Sequence, residues 1–258
     1  MRISIDLAMS YRFRRPNTAF LALEAARTDG QVVETSQLDI PDATLTRIDG
    51  DADVGERIWA QFQSADMSLT YKATVDVIRP TQDLGALDAM PLHRIPGTAA
   101  PYLRPSRYCQ SDKFQSFVSQ RFGHLSGGAK VQGLRDWIEE NLTYVPGSSD
   151  ADTNVLETFA GRQGVCRDYA HLMCSLVRAA GIPARMVAVY SPHITPPDFH
   201  AVAEVWLSGQ WWLVDATGMA AADSMAIIAV GRDAYDIAFM DSQEPAQMLS
   251  QSVNVSQA

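Results

Sequence analysis

The chain has 258 residues, 47% of them hydrophobic and 20% charged, with a formal net charge of −9. That length supports a sizeable core in one large or two small domains, and an acidic balance with no Lys/Arg-rich run argues against nucleic acid as a partner. Three cysteines, no CxxC pair and five scattered histidines suit neither a disulfide framework nor a structural zinc site, so no metal or cofactor is expected.

The opening MRISIDLAMSYRF lacks the continuous apolar segment of a signal peptide, and no apolar run is long enough to span a bilayer. The expectation is a cytoplasmic protein with reduced thiols and no membrane partner. Within RISIDLAMSYRF, Ile3, Ile5 and Leu7 alternate with Arg2, Ser4 and Asp6, the period of a half-buried strand. QVVETSQLDI and MSLTYKATVDVI are further strands, rich in Val, Ile, Thr and Tyr. DGDADVGERIWAQF reads as a turn and then a strand, and NTAFLALEAAR leaves helix open as an alternative. Residues 1–79 are therefore predicted to form a small antiparallel β domain.

A Pro- and Gly-dense stretch follows, PTQDLGALDAMPLHRIPGTAAPYLRPSRY, which is expected to be a connecting segment over residues 80–110 that wraps across a surface. From residue 111 to 258 helices and strands alternate. SDKFQSFVSQRFG offers Ser111 as an N-cap, and GAKVQGLRDWIEENLTY places Val131, Leu134, Trp137, Ile138 and Leu142 on one helix face. ARMVAVYS, HAVAEVWL and QWWLVDAT read as strands, and the tail after Val230 as a last helix ending in a disordered SQSVNVSQA. The fold class is α+β: an N-terminal β domain, then helices packed on an antiparallel sheet.

The chemistry concentrates in GRQGVCRDYAHLMCSLVRAAGIPAR, residues 161–185. Tyr169, Ala170, Met173, Cys174, Val177 and Ala180 recur at helical spacing, Gly161 and Gly164 permit a tight entry, and Gly181 with Pro183 stops the helix. Cys166 therefore sits at the helix N-terminus. Free N–H groups and the helix dipole favour a thiolate there and can hold the oxyanion formed when it attacks a carbonyl.

A cysteine nucleophile needs a base, and the base needs an orienting group. HAVAEVWL and QWWLVDAT flank Ser208–Gly209, a good two-residue hairpin turn. With that loop Leu207 pairs with Gln210, and counting back brings Val202 opposite Asp215. His200 and Asp215 are then diagonal neighbours on one face, about 7 Å apart at the backbone. A one-residue change of loop length would put them on opposite faces.

Bland roles compete for each residue. Cys174 fits buried core, Cys109 has no partner in sequence, and His171, five residues past Cys166, points to another side of the helix. Asp168 suits the first helical turn through the dipole, and Tyr169 suits packing. Arg162 or Arg167 could hold a substrate carboxylate or simply be solvated, while Trp206, Trp211 and Trp212 suit core and cross-strand packing.

The runs GVCRDYAHLMCSLVRAAGIPARMV and HAVAEVWLSGQWWLVDAT resemble the transglutaminase-like superfamily, in particular its bacterial branch. The N-terminal segments YRFRRP, GQVVETSQLDIP and RIDGDADVGERIWAQF are similar to the β domain that precedes the core there. The resemblance implies a papain-like mechanism with Cys166 as nucleophile, His200 as general base and acid, and Asp215 as orienter. Two positions depart from the family: Val202 stands where Trp is usual, and Ala216 where Pro usually follows the Asp. The resulting expectation is a thiol-dependent amide hydrolase acting on a peptide or protein amide. The alternatives are transglutaminase-type acyl transfer to an amine and a non-catalytic binding module on the same fold.

Overall fold

The alternation at the start of the chain becomes β1 (Arg2–Arg12), with Ile3, Ile5, Leu7 and Met9 buried. There follow β2 (Thr18–Leu21), β3 (Gln31–Asp39), β4 (Ala43–Asp49), β5 (Glu56–Phe62) and β6 (Asp66–Val77). They divide between two antiparallel sheets, β1–β6–β3 and β2–β5–β4, whose inner faces contribute to one hydrophobic core. In the computed structural model, residues 1–81 and 83–258 are described; Gln82, inside the expected connecting segment, lies outside the described residues.

NTAFLALEAAR is not a helix. Thr18–Leu21 is β2, and the rest is irregular because its backbone groups bond elsewhere. The Ala25 N–H donates to the Tyr71 hydroxyl at 2.9 Å, and the Tyr190 hydroxyl donates to the Leu23 carbonyl at 2.8 Å. Those bonds replace the i→i−4 ladder that the alanine-rich composition would otherwise favour.

The connecting segment forms short 3₁₀ turns at Leu84–Ala86, Leu92–Arg94 and Ala100–Leu103. It is tied down at Asp88, whose carbonyl accepts from the Ser208 N–H at 2.9 Å, and at Ala89, which bridges Leu207. A Cβ on Gly128 would lie 1.5 Å from the Leu84 carbonyl oxygen, so only glycine admits so close an approach.

The remaining elements are α1 (Gln115–Phe122), α2 (Gly127–Asn141), β7 (Thr143–Tyr144), α3 (Val155–Gly161), β8 (Gln163–Gly164), α4 (Cys166–Ala179), β9 (Ala184–Tyr190), β10 (His200–Leu207), β11 (Gln210–Val214), β12 (Ala226–Gly231), α5 (Ala234–Ile237), β13 (Met240–Ser242) and β14 (Gln247–Gln257). An antiparallel sheet in the order β11–β10–β9–β12 carries α4, which is almost wholly buried. The architecture is α+β, with helices packed on an antiparallel sheet.

Two sequence expectations change. Ser111 does not cap a helix: it is the buried first residue of a 3₁₀ turn, and α1 begins after Phe114 with no side-chain cap among the described residues. The tail after Val230 is helical only over Ala234–Ile237, and its last residues form a strand. β14 pairs with β1 from Ile3↔Gln257 to Arg12↔Gln247, and β13 pairs with β2. Residues 240–257 therefore join the strands of the first 79 residues instead of closing within 111–258. The polar sequence of β14 reflects an edge position in which only Val253 is buried, while β1 supplies its hydrogen bonds.

The first part of the chain is keyed to β12 by one buried amide. Gln31 Nε2 donates to the Ala26 carbonyl at 2.6 Å and the Ile227 carbonyl at 2.9 Å, and its Oε1 accepts from the Ile227 N–H at 2.7 Å. Gln31→Leu leaves the Ala26 carbonyl and the Ile227 N–H without this partner. The substitution is expected to lower stability by about 2–4 kcal/mol in urea unfolding.

Candidate active site

Cys166 is the first residue of α4 and is half-buried. The approach to it is set by a short parallel ladder in which Thr143 pairs with Gln163 and Tyr144 with Gly164. The turn before it is made by Arg162, at φ 56°, in the left-handed region; Gly161, the expected hinge, is not in that region. Gly164 is needed for space instead: a Cβ there would lie 2.6 Å from the Asp168 Cβ.

Asp168 explains that crowding. It is fully buried, and its Oδ2 accepts from the Val165 N–H at 2.8 Å and from the Ser149 hydroxyl at 2.5 Å. The carboxylate reaches back to the residue before the helix, so it pins the strand-to-helix turn that carries Cys166. Its place in the first turn also complements the dipole.

The ladder brings in a residue that the sequence reading did not select. The Tyr144 phenol is raised to about 12 by burial and then by the charge of the neighbouring Cys166 sulfur, with the Cys166 N–H pulling the other way. A neutral hydroxyl and a helix-terminal N–H thus stand together at the thiol. The only signal in sequence was Tyr144 at the end of the α2 pattern; its approach to Cys166 depends on a two-residue pairing that no periodicity reveals.

His200 opens β10, and Asp215 follows β11. The hairpin has the Leu207↔Gln210 pair, with Ser208 at φ 49° and Gly209 at φ 81°, and the ladder runs to Ala203↔Val214. The next step opposes Val202 and Asp215, as the two-residue loop requires. His200 Nε2 and Asp215 Oδ2 lie 2.9 Å apart, both residues buried. His200 Nδ1 is buried and has no hydrogen-bond partner among the described residues. Cys166, His200 and Asp215 are thus brought together.

Burial works against a charged imidazole at His200, but the Asp215 hydrogen bond and the adjacent Cys166 sulfur outweigh it and raise the group to about 9. Burial likewise opposes ionisation of Asp215, yet His200 and Thr217 hold its carboxyl below the usual range. Asp215 Oδ1 accepts from the Thr217 N–H at 2.8 Å and its hydroxyl at 2.7 Å, and Oδ2 also accepts from the Ala220 N–H at 3.0 Å. Ala216, in place of the usual proline, therefore leaves the carboxylate fully held. Val202 is buried among Val187, Val189 and Leu213.

The other singled-out residues have structural partners. His171 is buried, accepts at Nε2 from the Ala234 N–H at 3.1 Å and stacks on Tyr108. Burial, with Arg167 and Arg178 nearby, lowers it to about 3, so it stays neutral. Arg162 lies over Phe159 and Trp137, and Arg167 donates to the Asp150 carbonyl at 2.6 Å. Trp206 and Trp211 form a cross-strand edge-to-face pair at 5.2 Å. Cys109 and Cys174 are buried; burial raises both thiols, Cys109 in direction and Cys174 beyond the ordinary range.

Helix start, hairpin and buried imidazole–carboxylate pair together outline a thiol site on an α+β core. The family model for the transglutaminase-like superfamily matches residues 117–216. The crystal structure of a "Putative Cysteine Protease" from Cytophaga hutchinsonii is 33% identical, covers 99% of this chain and 90% of that one, and superposes with a TM-score of 0.90. An uncharacterized protein of Mycobacterium leprae is 29% identical over 147 residues, 53% of this chain and 52% of its own. A protein-glutamine gamma-glutamyltransferase of Pseudomonas aeruginosa is 40% identical over 86 residues, 29% of this chain and 13% of its own. The chain spans about half or less of the length of these curated relatives. It belongs to the transglutaminase-like superfamily.

The His200–Asp215 pair makes stability depend on pH. Because His200 is raised from 6.5 to about 9 in the fold, its contribution is fully present below pH 6.5 and is lost as pH rises through about 9. Asp215, held low, contributes above about pH 4 and loses its contribution as pH falls further. The stability advantage of the wild type over His200→Gln is expected to shrink by on the order of 3 kcal/mol between pH 6 and pH 10, measured by denaturant unfolding at each pH.

Proposed function

We propose that the protein is a thiol-dependent amide hydrolase working through a thioester acyl-enzyme. One observation carries the reading: the buried His200 imidazole bonds Asp215 through Nε2, while its Nδ1 is left unpartnered beside Cys166. His171 also leaves its buried Nδ1 without a partner among the described residues, but only His200 combines that free nitrogen with a carboxylate on the other one and a thiol alongside.

In this reading Cys166 and His200 form a thiolate–imidazolium pair. The sulfur attacks the amide carbonyl carbon, forming the C–S bond and moving the C=O π pair onto oxygen. The Cys166 N–H and the Tyr144 hydroxyl are the donors that hold that oxyanion. Collapse restores the carbonyl and breaks the C–N bond, and His200 gives its proton to the departing amine. His200, now neutral, takes a proton from water, which attacks the thioester. A carboxylic acid leaves, and the ion pair is restored with the proton back on His200. Asp215 keeps the imidazole in orientation and stabilises its charged form throughout.

The 86-residue likeness to the gamma-glutamyltransferase supports a second reading, in which an amine instead of water takes the acyl group. Both share the acyl-enzyme, so one experiment separates them: incubation with a peptide mixture, with and without a primary amine, followed by mass spectrometry. Hydrolysis gives new peptide termini irrespective of amine, whereas transfer gives amine-linked peptide. Cys166→Ala is expected to abolish either product, and His200→Ala to lower the rate by about 10²–10⁴-fold. Turnover that survives Cys166→Ala would overturn the reading.

A further inference from the structure

Beside Cys166 and His200 a cavity of about 340 Å³ opens, at the lower end of the small-ligand range of roughly 300–1,000 Å³. Its walls are mostly apolar. Met186 and Ala188 come from β9, Ala201 from β10 directly after His200, Phe199 from the preceding loop, Ile237 from the end of α5 and Phe239 from the passage before β13. Ala188 and Ala201 are cross-strand partners, so two methyl groups stand where larger residues would fill the space. Phe199 and Phe239 stack face to face at 4.6 Å with 2° between their planes. Besides His200, the charged groups of the lining are Arg167, whose Nη2 bonds Asp150 and Asp168 while its Nε has no partner among the described residues, and Asp241, which is exposed.

The far wall is fixed in place. Asp233, buried, accepts from the Tyr108 N–H at 3.1 Å and the Tyr235 N–H at 3.1 Å, while His171 accepts from the Ala234 N–H. Ile237 is buried, and β13 continues into the sheet of β2. The pocket is preformed by that anchoring and needs no closure.

We infer that this cavity is the specificity pocket of the site and takes an apolar side chain, aliphatic or aromatic, next to the scissile amide. The inference rests on the proposed thiol chemistry and names its substrate class: peptide amides flanked by Leu-, Met- or Phe-like residues. A glutamine, glutamate or lysine side chain entering these walls would exchange water chiefly for carbon, since Arg167, Tyr235 and Asp241 are few against the apolar side chains of the lining. An apolar side chain gains on the order of 1.5–3 kcal/mol from the same burial, a preference of tenfold or more.

The test uses the full chain and a series of acetyl-dipeptide vinyl sulfones that differ only in the residue bearing the electrophile: Gly, Leu, Phe, Gln, Glu or Lys. Rates of Cys166 labelling are read by mass spectrometry, with iodoacetamide as a side-chain-free control. Leu and Phe reagents are expected to label at least tenfold faster than Gln, Glu and Lys. Ala201→Leu should narrow the pocket and lower the ratio of Phe to Gly labelling at least tenfold; Ala188→Leu gives a second variant, and thermal melting checks that each is folded. Equal rates across the series, or a Gln preference, with Cys166 still reactive to iodoacetamide overturn the pocket assignment alone. A Cys166 that no reagent labels, iodoacetamide included, overturns the thiol chemistry and the pocket with it.

Discussion

The site depends on the register of one hairpin. Ser208 and Gly209 both take positive φ, which closes a two-residue turn whose twist matches the flanking strands. That turn sets Leu207 against Gln210 and, by alternation, brings His200 within 2.9 Å of Asp215. A slip of one residue would move the imidazole and the carboxylate to opposite faces of the sheet. Burial keeps the register from slipping, because Val202 and Leu213 on one side and Ala203, Val205 and Val214 on the other all lose their packing if it does.

Around the thiol the fold holds several costly polar groups, and each is offset by specific partners. Asp168 is fully buried yet bonded to Val165, Ser149 and Arg167. Asp215 is buried yet holds four donors counting His200. His171 remains neutral and uses its free lone pair to anchor the pocket wall. The Nδ1 atoms of His171 and His200 both lack a partner among the described residues, and what distinguishes His200 is that Asp215 holds its Nε2 while the Cys166 sulfur lies alongside. The first 79 residues matter here as well. They give β13 a sheet to join, and Ala22, just past β2, lines the cavity.

Much of this was legible in the sequence for definable reasons. Helix α4 carried strong apolar periodicity and a Gly-Ile-Pro stop, and the β10–β11 hairpin carried a Ser-Gly turn, so both positioned their residues by local rules. Tyr144 was not legible because its neighbour Gly164 lies twenty residues away, across α3, and is reached by only two paired residues. Helix α3 was missed between turn-rich flanks; its capping box of Asn154 and Glu157 was the available signal. β14 was misread because an edge strand with one buried residue has the composition of a disordered tail. The apolar pocket could not be read at all, since its walls meet from seven separate segments of the chain.

The most direct test of the account is an NMR titration of the His200 ring, using 15N-histidine-labelled protein, in wild type and Cys166→Ala. A thiolate on one side and Asp215 on the other predict protonation near pH 9 in the wild type, falling well below that when the sulfur is removed. A ring that titrates near the ordinary 6.5, unchanged by Cys166→Ala, would contradict the ion pair on which the proposed chemistry rests.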